Sequence, residues 1–487
     1  MRKTLQNQLT FGEIDISKIE FDPKSRDDIP QLLKGLQYMY TDHSSRKKIF
    51  QILREKISPK VDKNNGRPGM DLWKILVMGV LRLNLNWDYD RLHEMVNNHL
   101  KIREMLGQDF FNRNLYHMQT LKDNIALLTP EILDEINQVV VDCGHKLVKK
   151  KDQIHLKGRC DSFVVETNVH FPTDANLLFD ASRKVISLTA ALCDKFDVPG
   201  WRQSKHNIKK QKKQLRRIQK LKHSTSKNPN KTERKKQQIK LAYIRYTANV
   251  RSFIEKACDA QKALVNNGME QCYFGEVDYF IAHAERQIEQ ILRRVIGCEA
   301  IPHHEKVFSV FEPHTEWICK GKAGVPVELG IRVAILEDQF GFLLNHCIMQ
   351  NQTDEKIAIP FVRESKEKFP KLRSCSFDKG FHSPENQEQL RQILDNVALP
   401  KKGRLSKKDA ANQCSAGFSA AKEKHSAVES AINALEVHGL DRCPDHGIYG
   451  FRRYVSAAVL ARNIQIIGSV LIKREQRALK RKYKNVA

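Results

Sequence analysis

Three acidic residues occupy positions where a carboxylate is chemically useful. Asp161 lies inside a strand-like run, "GRCDSFVVETNVHF" (158–171). Asp378 follows a short run, Lys371 to Phe377, that reads as a buried strand, and it stands within "SFDKGFHSPEN" (376–386). Glu429 lies in the helix-like "HSAVESAINALEVHGLDRC". Each alone has a plain explanation: a hydrogen bonder in a strand, a turn cap, an exposed acid beside Glu423 and Glu436. Brought together, three carboxylates would hold hard divalent cations, which take oxygen ligands. Such ions neutralise a phosphodiester, polarise its phosphoryl oxygen and lower the pKa of bound water; two of them about 4 Å apart clamp the attacking and leaving oxygens. Without a cation the acids repel one another, so raised pKa values are expected. Rival acids are explained otherwise. Asp174 and Asp180 fall at an expected helix start, where capping suffices. Glu166 is five residues past Asp161, an odd offset that sends it to the opposite strand face.

The bulk of the chain points to a polyanionic partner. Its 487 residues carry 83 Lys+Arg against 57 Asp+Glu, net +26. So large an excess favours nucleic acid over an ordinary solvated surface, with an anionic membrane as the weaker alternative. No apolar run of about 18 residues stands out to suggest a membrane span. The first twenty residues lack the apolar core of a signal peptide. The 11 cysteines are scattered without a CxxC pair, which fits reduced thiols in a cytoplasm. His303, His304, His314 and Cys319, or Cys443 and His446, match no closed zinc spacing.

The elements that must position the acids follow from periodicity. Residues 1–60 read as mixed and partly helical. Gly66-Arg67-Pro68 punctuates the chain. Leu72, Ile75, Leu76, Leu81, Leu83 and Leu85 then give one apolar helix face, and Leu92, Met95 and Val96 a second after Asn86 and Asp88. Thr129-Pro130-Glu131 reads as a helix start. Residues 66–150 are thus all-helical, as a packing domain or a helix-turn-helix unit. Residues 174–196 are helical again. Between Lys205 and Lys240 stand fifteen Lys/Arg and one acid, Glu233. Leu215, Ile218 and Leu221 give that run a helical face, and 225–231 reads as a turn, so a basic helical hairpin is expected. Like charges at this density are relieved by phosphate. Lys209, Lys210, Lys212, Lys213, Arg216 and Arg217 are the expected contacts. Strands are expected near 307 ("KVFSVF"), over 326–336 and 340–350 with a turn at "EDQFG", before Asp378, and at 396–400. Helices are expected over 354–368, from 384, and over about 418–437. Seven Lys/Arg between Lys473 and Lys484 close the chain.

With the helical 174–300 block set aside, the order is strand, strand, strand, helix, strand, helix, strand, helix. This is the element order of the ribonuclease H-like α/β fold, in which the first and fourth strands are neighbours. Asp161 and Asp378 would then meet at one sheet edge, with Glu429 leaning over both. The expected architecture is a mixed five-stranded sheet with helices over 151–200 and 301–472. A basic helical insertion (201–300) interrupts it, a helical domain (1–150) precedes it, and a basic tail (473–487) follows.

The segments "CDSFVVETNVHFPTDANLLFDASRKV", "ELGIRVAIL", "SFDKGFHSPEN", "HSAVESAINALEVHGLDRC" and "GFRRYVSAAVLARNIQIIG" resemble bacterial insertion-sequence DDE transposases of the ISNCY group. "NNGRPGMDLWKILVMGVLRL" resembles their helical N-terminal domain. The likeness extends from about 60 to 470. It implies a catalytic and metal-binding triad of Asp161, Asp378 and Glu429, with Mg²⁺ (or Mn²⁺), two ions in all. It implies double-stranded DNA as substrate, a homodimer or larger assembly on DNA, and a nucleoid-associated place in the bacterial cytoplasm. Water would free a 3′-OH at the element's end, and that hydroxyl would attack target DNA. A nuclease that cuts without joining, or an inactive DNA-binding remnant, are the alternatives. Many relatives carry Tyr-x-x-Arg before the acid and Lys seven residues after it; here Lys422, His425 and Glu436 stand there. His425, with Lys320, Lys322 and Lys379 near the strand mouth, completes the expected phosphate contacts.

Overall fold

The computed structural model describes residues 2–5, 13–57, 69–108, 115–148, 155–223, 228–319 and 326–486. Gly66-Arg67-Pro68, residues 225–227 of the expected turn, Lys320 and Lys322 lie outside them. The chain divides into two compact units, Met1–Asn168 with Ile318–Ala487, and Val169–Trp317.

The first unit opens with helices α1 (Asp28–Thr41), α2 (His43–Lys56), α3 (Leu72–Asn84), α4 (Tyr89–Asn98), α5 (Leu100–Met105), α6 (Met118–Ile125) and α7 (Pro130–Val148). The expected stop and restart after α3 is present. Asn86 takes a left-handed φ of 50°, and the Asp88 carboxylate caps α4 by accepting from the Arg91 N–H at 2.7 Å. Helix α3 is buried almost all round, so it is a core element. Strand β1 (Leu156–Thr167) follows.

The second unit is helical: α8 (Asp174–Lys195), α9 (Ser204–His223), α10 (Pro229–Asn266) and α11 (Gly275–Ile291). Its core gathers Leu178, Val185, Leu215, Ile218, Tyr243, Tyr246, Val250 and Ile288. The unit is wider than the 201–300 insertion read from sequence, because α8 packs on α9, α10 and α11. The strand expected at 306–311 is absent. There Val310 is buried in the helical core, and Phe311 stacks near Phe280 (centroids 5.9 Å apart) and under the Arg183 guanidinium at 4.9 Å. Its apolar residues find helices to pack on, and the chain forms no ladder.

The first unit resumes at Ile318, inside β2 (Glu316–Cys319), and continues with β3 (Val327–Asp338), β4 (Leu343–Ile348), α12 (Asp354–Lys368), β5 (Leu372–Phe377), α13 (Pro384–Ile393), β6 (Asn396–Ala398), α14 (Lys407–Gln413), α15 (Ala416–His425), α16 (Ala427–Leu435), β7 (Arg442–Cys443) and α17 (Gly447–Val486). The fold is α/β with one mixed sheet. Its order is β2-β3-β1-β5-β6, with β4 also on β3 and β7 also on β1. Strand β1 runs antiparallel to β3 and parallel to β5, and β5 runs parallel to β6. The sheet thus has seven strands, not five; the short β2 and β7 lack the alternation that marks a strand in sequence. The single helix expected over 418–437 is broken at Ser426, whose hydroxyl donates to the Glu423 carbonyl at 3.0 Å. A serine that bonds the preceding turn competes with the helix ladder.

Helix α17 absorbs the expected basic tail. One stretch of it is long and apolar enough to cross a bilayer, yet most of that stretch is buried inside the protein. It packs on α1, α3 and α7, so the N-terminal helices and the sheet share one core. Buried Asn463 fixes its height: its amide donates to the Leu343 carbonyl at 2.8 Å and accepts from the Leu343 N–H at 2.9 Å. Where α1 crosses α17, a Cβ on Gly468 would lie 1.7 Å from the Gln31 carbonyl oxygen, and one on Gly35 2.1 Å from that of Ile464. Gly468→Ala should therefore force the helices apart and cost about 2–3 kcal/mol or more, as overpacking does. Urea unfolding reads the loss, and an unchanged midpoint would show that the crossing is loose.

Candidate active site

Register brings the first two acids together. In the parallel pairing of β1 with β5, Cys160 is matched with Phe377. The next residue on each chain is Asp161 and Asp378, so the two come side by side at the end of β5. Local hydrogen bonds orient both. The Asp161 Oδ1 accepts from the Ser162 N–H at 2.7 Å. The Asp378 Oδ2 accepts from the Gly380 N–H at 3.2 Å. The turn-capping role weighed for Asp378 is thus real, and it coexists with the pairing. Glu429 stands exposed in the first turn of α16, which packs on β1.

The electrostatics tie these groups into one neighbourhood. Burial pushes the Asp161 carboxyl up to about 6. The Ser162 N–H opposes that shift, while the charges of Asp378, Asp354 and Glu429 add to it. Asp354, in the first turn of α12, did not stand out in the sequence. Its Oδ1 accepts from the Ser162 hydroxyl at 2.6 Å across 192 residues of chain. The run "QTDEK" signals a helix start, and an acid there reads as an ordinary first-turn residue.

His425 ends α15 beside this cluster. Its Nδ1 is 3.0 Å from the Ser376 hydroxyl. Burial lowers its pKa, opposed by Asp378 and Glu429 and reinforced by Arg159. Arg159, two residues before Asp161 and on the same strand face, donates to the Lys424 carbonyl at 3.3 Å and pairs with Glu337 at 3.1 Å. Lys379 is exposed directly after Asp378. The rival acids are engaged elsewhere. Glu166 pairs with Arg442 at 2.7 Å. Asp174 pairs with Arg294 at 2.6 Å, and Asp180 with His170 at 2.5 Å and Arg183 at 3.1 Å. Lys209, Lys210, Lys212, Lys213, Arg216 and Arg217 are all exposed on α9, opposite Gln211, Leu215 and Ile218. They belong to the second unit and are described within it alone.

Among the described residues no group of three or more His, Cys, Asp or Glu is drawn to metal-binding spacing. The donor chemistry nevertheless suits a hard cation. Asp161, Asp378 and Glu429 offer carboxylate oxygens, and the charges of Asp378 and Glu429 add to the burial that raises Asp161. A divalent ion would relieve that repulsion.

Comparison of the chain with protein-family models, curated proteins and solved structures gave no match.

Proposed function

We propose that the chain is a DDE-type DNA transposase with a ribonuclease H-like catalytic domain. The observation that carries this reading is the β1–β5 register, which sets Asp161 beside Asp378 within the charge field of Glu429. The spatial order β4-β3-β1-β5-β6, with β5 and β6 parallel to the central strand, supports it. Asp161, Asp378 and Glu429 would hold Mg²⁺ or Mn²⁺, which supplies charge neutralisation at the phosphodiester when bound. The chain's own residues orient the site: Ser162 and Gly380 fix the two aspartates through their N–H groups. Water attacks the phosphodiester at the element's end and the element's 3′-oxygen leaves as a 3′-OH; that hydroxyl then attacks a target phosphate, whose bond to the target strand's own 3′-oxygen breaks. His425 and Lys379 lie where a phosphate near the acids would meet them. Joining two ends calls for at least a dimer on DNA.

The test is incubation of the protein with its element's end DNA and Mg²⁺ or Mn²⁺. Cut strands joined to a target are the expected products. Cutting without joining, even from a pre-cut 3′-OH end, would make the protein a nuclease. Binding without cutting would make it an inactive DNA-binding remnant.

The basic arm gives a separate prediction. Lys209, Lys213 and Arg216 are exposed along α9. If each neutralises one phosphate, the slope of log K against log salt becomes shallower by about 0.9 per contact removed. Fluorescence anisotropy with a duplex at several salt concentrations should show this for the triple alanine variant. An unaltered slope would take α9 out of the DNA interface.

A further inference from the structure

We propose that Asp354 is a positioning residue: it locks Ser162 and shapes the turn at Gly380, the two residues whose backbone N–H groups orient Asp161 and Asp378. The proposal rests on the reading of those aspartates as the active centre.

The first turn of α12 is held firmly where Asp354 needs to be. Ile357, Ala358, Phe361 and Val362 bury the helix's inner face. The buried Asn386 amide donates to the Glu355 carbonyl at 2.7 Å and to the Phe381 carbonyl at 2.9 Å. One side chain therefore ties the start of α12 to the turn that follows Asp378. From this anchored position Asp354 reaches two ways. Its Oδ1 accepts from the Ser162 hydroxyl at 2.6 Å, and the same serine's N–H donates to Asp161 at 2.7 Å. Its Oδ2 fills the space where Gly380 would carry a side chain: a Cβ there would lie 2.7 Å from Oδ2 and 3.3 Å from the carboxyl carbon. Gly380 has no positive φ among the backbone exceptions, so space and not backbone conformation explains the glycine after Asp378-Lys379. The carboxylate cannot swing aside cheaply, because doing so breaks its bond to Ser162. A fourth acid beside three others is electrostatically unfavourable. The Ser162 hydroxyl and the N-terminal end of α12 offset that cost.

Two measurements on the full chain test the proposal. The first is calorimetric titration with Mn²⁺ alone. Asp354→Ala should weaken binding about tenfold or more, the usual loss when a ligand's supporting partner is removed. Ser162→Ala should weaken it comparably, and the double variant no further, because both act through one bond. Asp354→Asn keeps an acceptor for Ser162 and should recover most of the affinity. Multiplying losses would overturn the proposal. So would an Asp354→Asn as weak as Asp354→Ala, which would make the charge itself the ligand. The second measurement is thermal unfolding without cation. Gly380→Ala should lower the melting temperature in the otherwise unchanged chain and do so much less in an Asp354→Ala background. Equal losses in both backgrounds would overturn the proposal whatever the cation does. Absence of Mn²⁺ binding by the unmodified chain would count against the carboxylate centre itself, and the unfolding comparison would still decide the role of Asp354.

Discussion

Asp378→Asn is expected to reduce DNA cleavage on the order of a thousandfold or more, the scale at which loss of one member of a cooperating catalytic set is felt. The substitution isolates charge from shape. Asparagine is nearly isosteric, and its carbonyl oxygen can still accept from the Gly380 N–H that now bonds Asp378. The residue is exposed beyond the end of β5, so no core packing is lost. Glu429→Gln should behave alike, because Glu429 is exposed on α16 and surface changes of this kind leave stability within about 0.5 kcal/mol. The assay is cleavage of a labelled end duplex in Mn²⁺, beside duplex binding by anisotropy. Binding should stay near that of the unaltered chain while cutting disappears. Cutting by Asp378→Asn at the full rate would leave Asp378 as the cap of its turn and nothing more.

How far the residues alone reveal this site depends on the range of the interaction. The face of Asp161 is legible because strand alternation is local: Arg159, Asp161 and Phe163 share a face, and Glu166 takes the other, where Arg442 pairs with it. Asp378 is legible because a short strand-like run ends just before it and Ser383-Pro384 opens a helix after it; β5 ends at Phe377 and Ser383 caps α13. Asp354 was not legible. Its partner Ser162 is 192 residues away, and nothing in a helix-start motif says which strand the helix will face. The same limit explains the lost strand at 306–311, where apolar residues suited to a ladder find helices to pack on. The partners of the buried Asn463 on α17 are as distant: they are the Leu343 backbone groups of β4. The basic arm lies at the other extreme. Its charge density and its Leu215–Ile218 stripe are wholly local, and α9 and α10 follow them.

Asp161→Asn should do something opposite to a damaging mutation: it should stabilise the cation-free protein at neutral and alkaline pH. The Asp161 carboxyl stands at about 6 in the folded chain against an ordinary 3.8. Its folded-state pKa is raised, so the folded protein holds this proton more tightly than the unfolded chain does. The stability associated with the protonated form is present below about pH 4 and is lost as pH rises through 6. Above that, the ionised and half-buried Asp161 costs about 3 kcal/mol, from a shift of roughly two pKa units at 1.36 kcal/mol each. Asparagine removes the charge and retains an acceptor for the Ser162 N–H. The variant should therefore exceed the unaltered chain by up to about 3 kcal/mol at pH 8, by less as pH falls through 6, and by almost nothing near pH 4. Urea unfolding at those three pH values reads the difference. Saturating Mn²⁺ should reverse the order at pH 8, because a ligand that binds only the native state stabilises the chain that binds it. An Asp161→Asn variant less stable than the unaltered chain at pH 8 would mean that the ionised carboxylate is already neutralised by protein partners. The cost of burying the ionised carboxylate, to which the neighbouring acids add, would then be already offset without a cation.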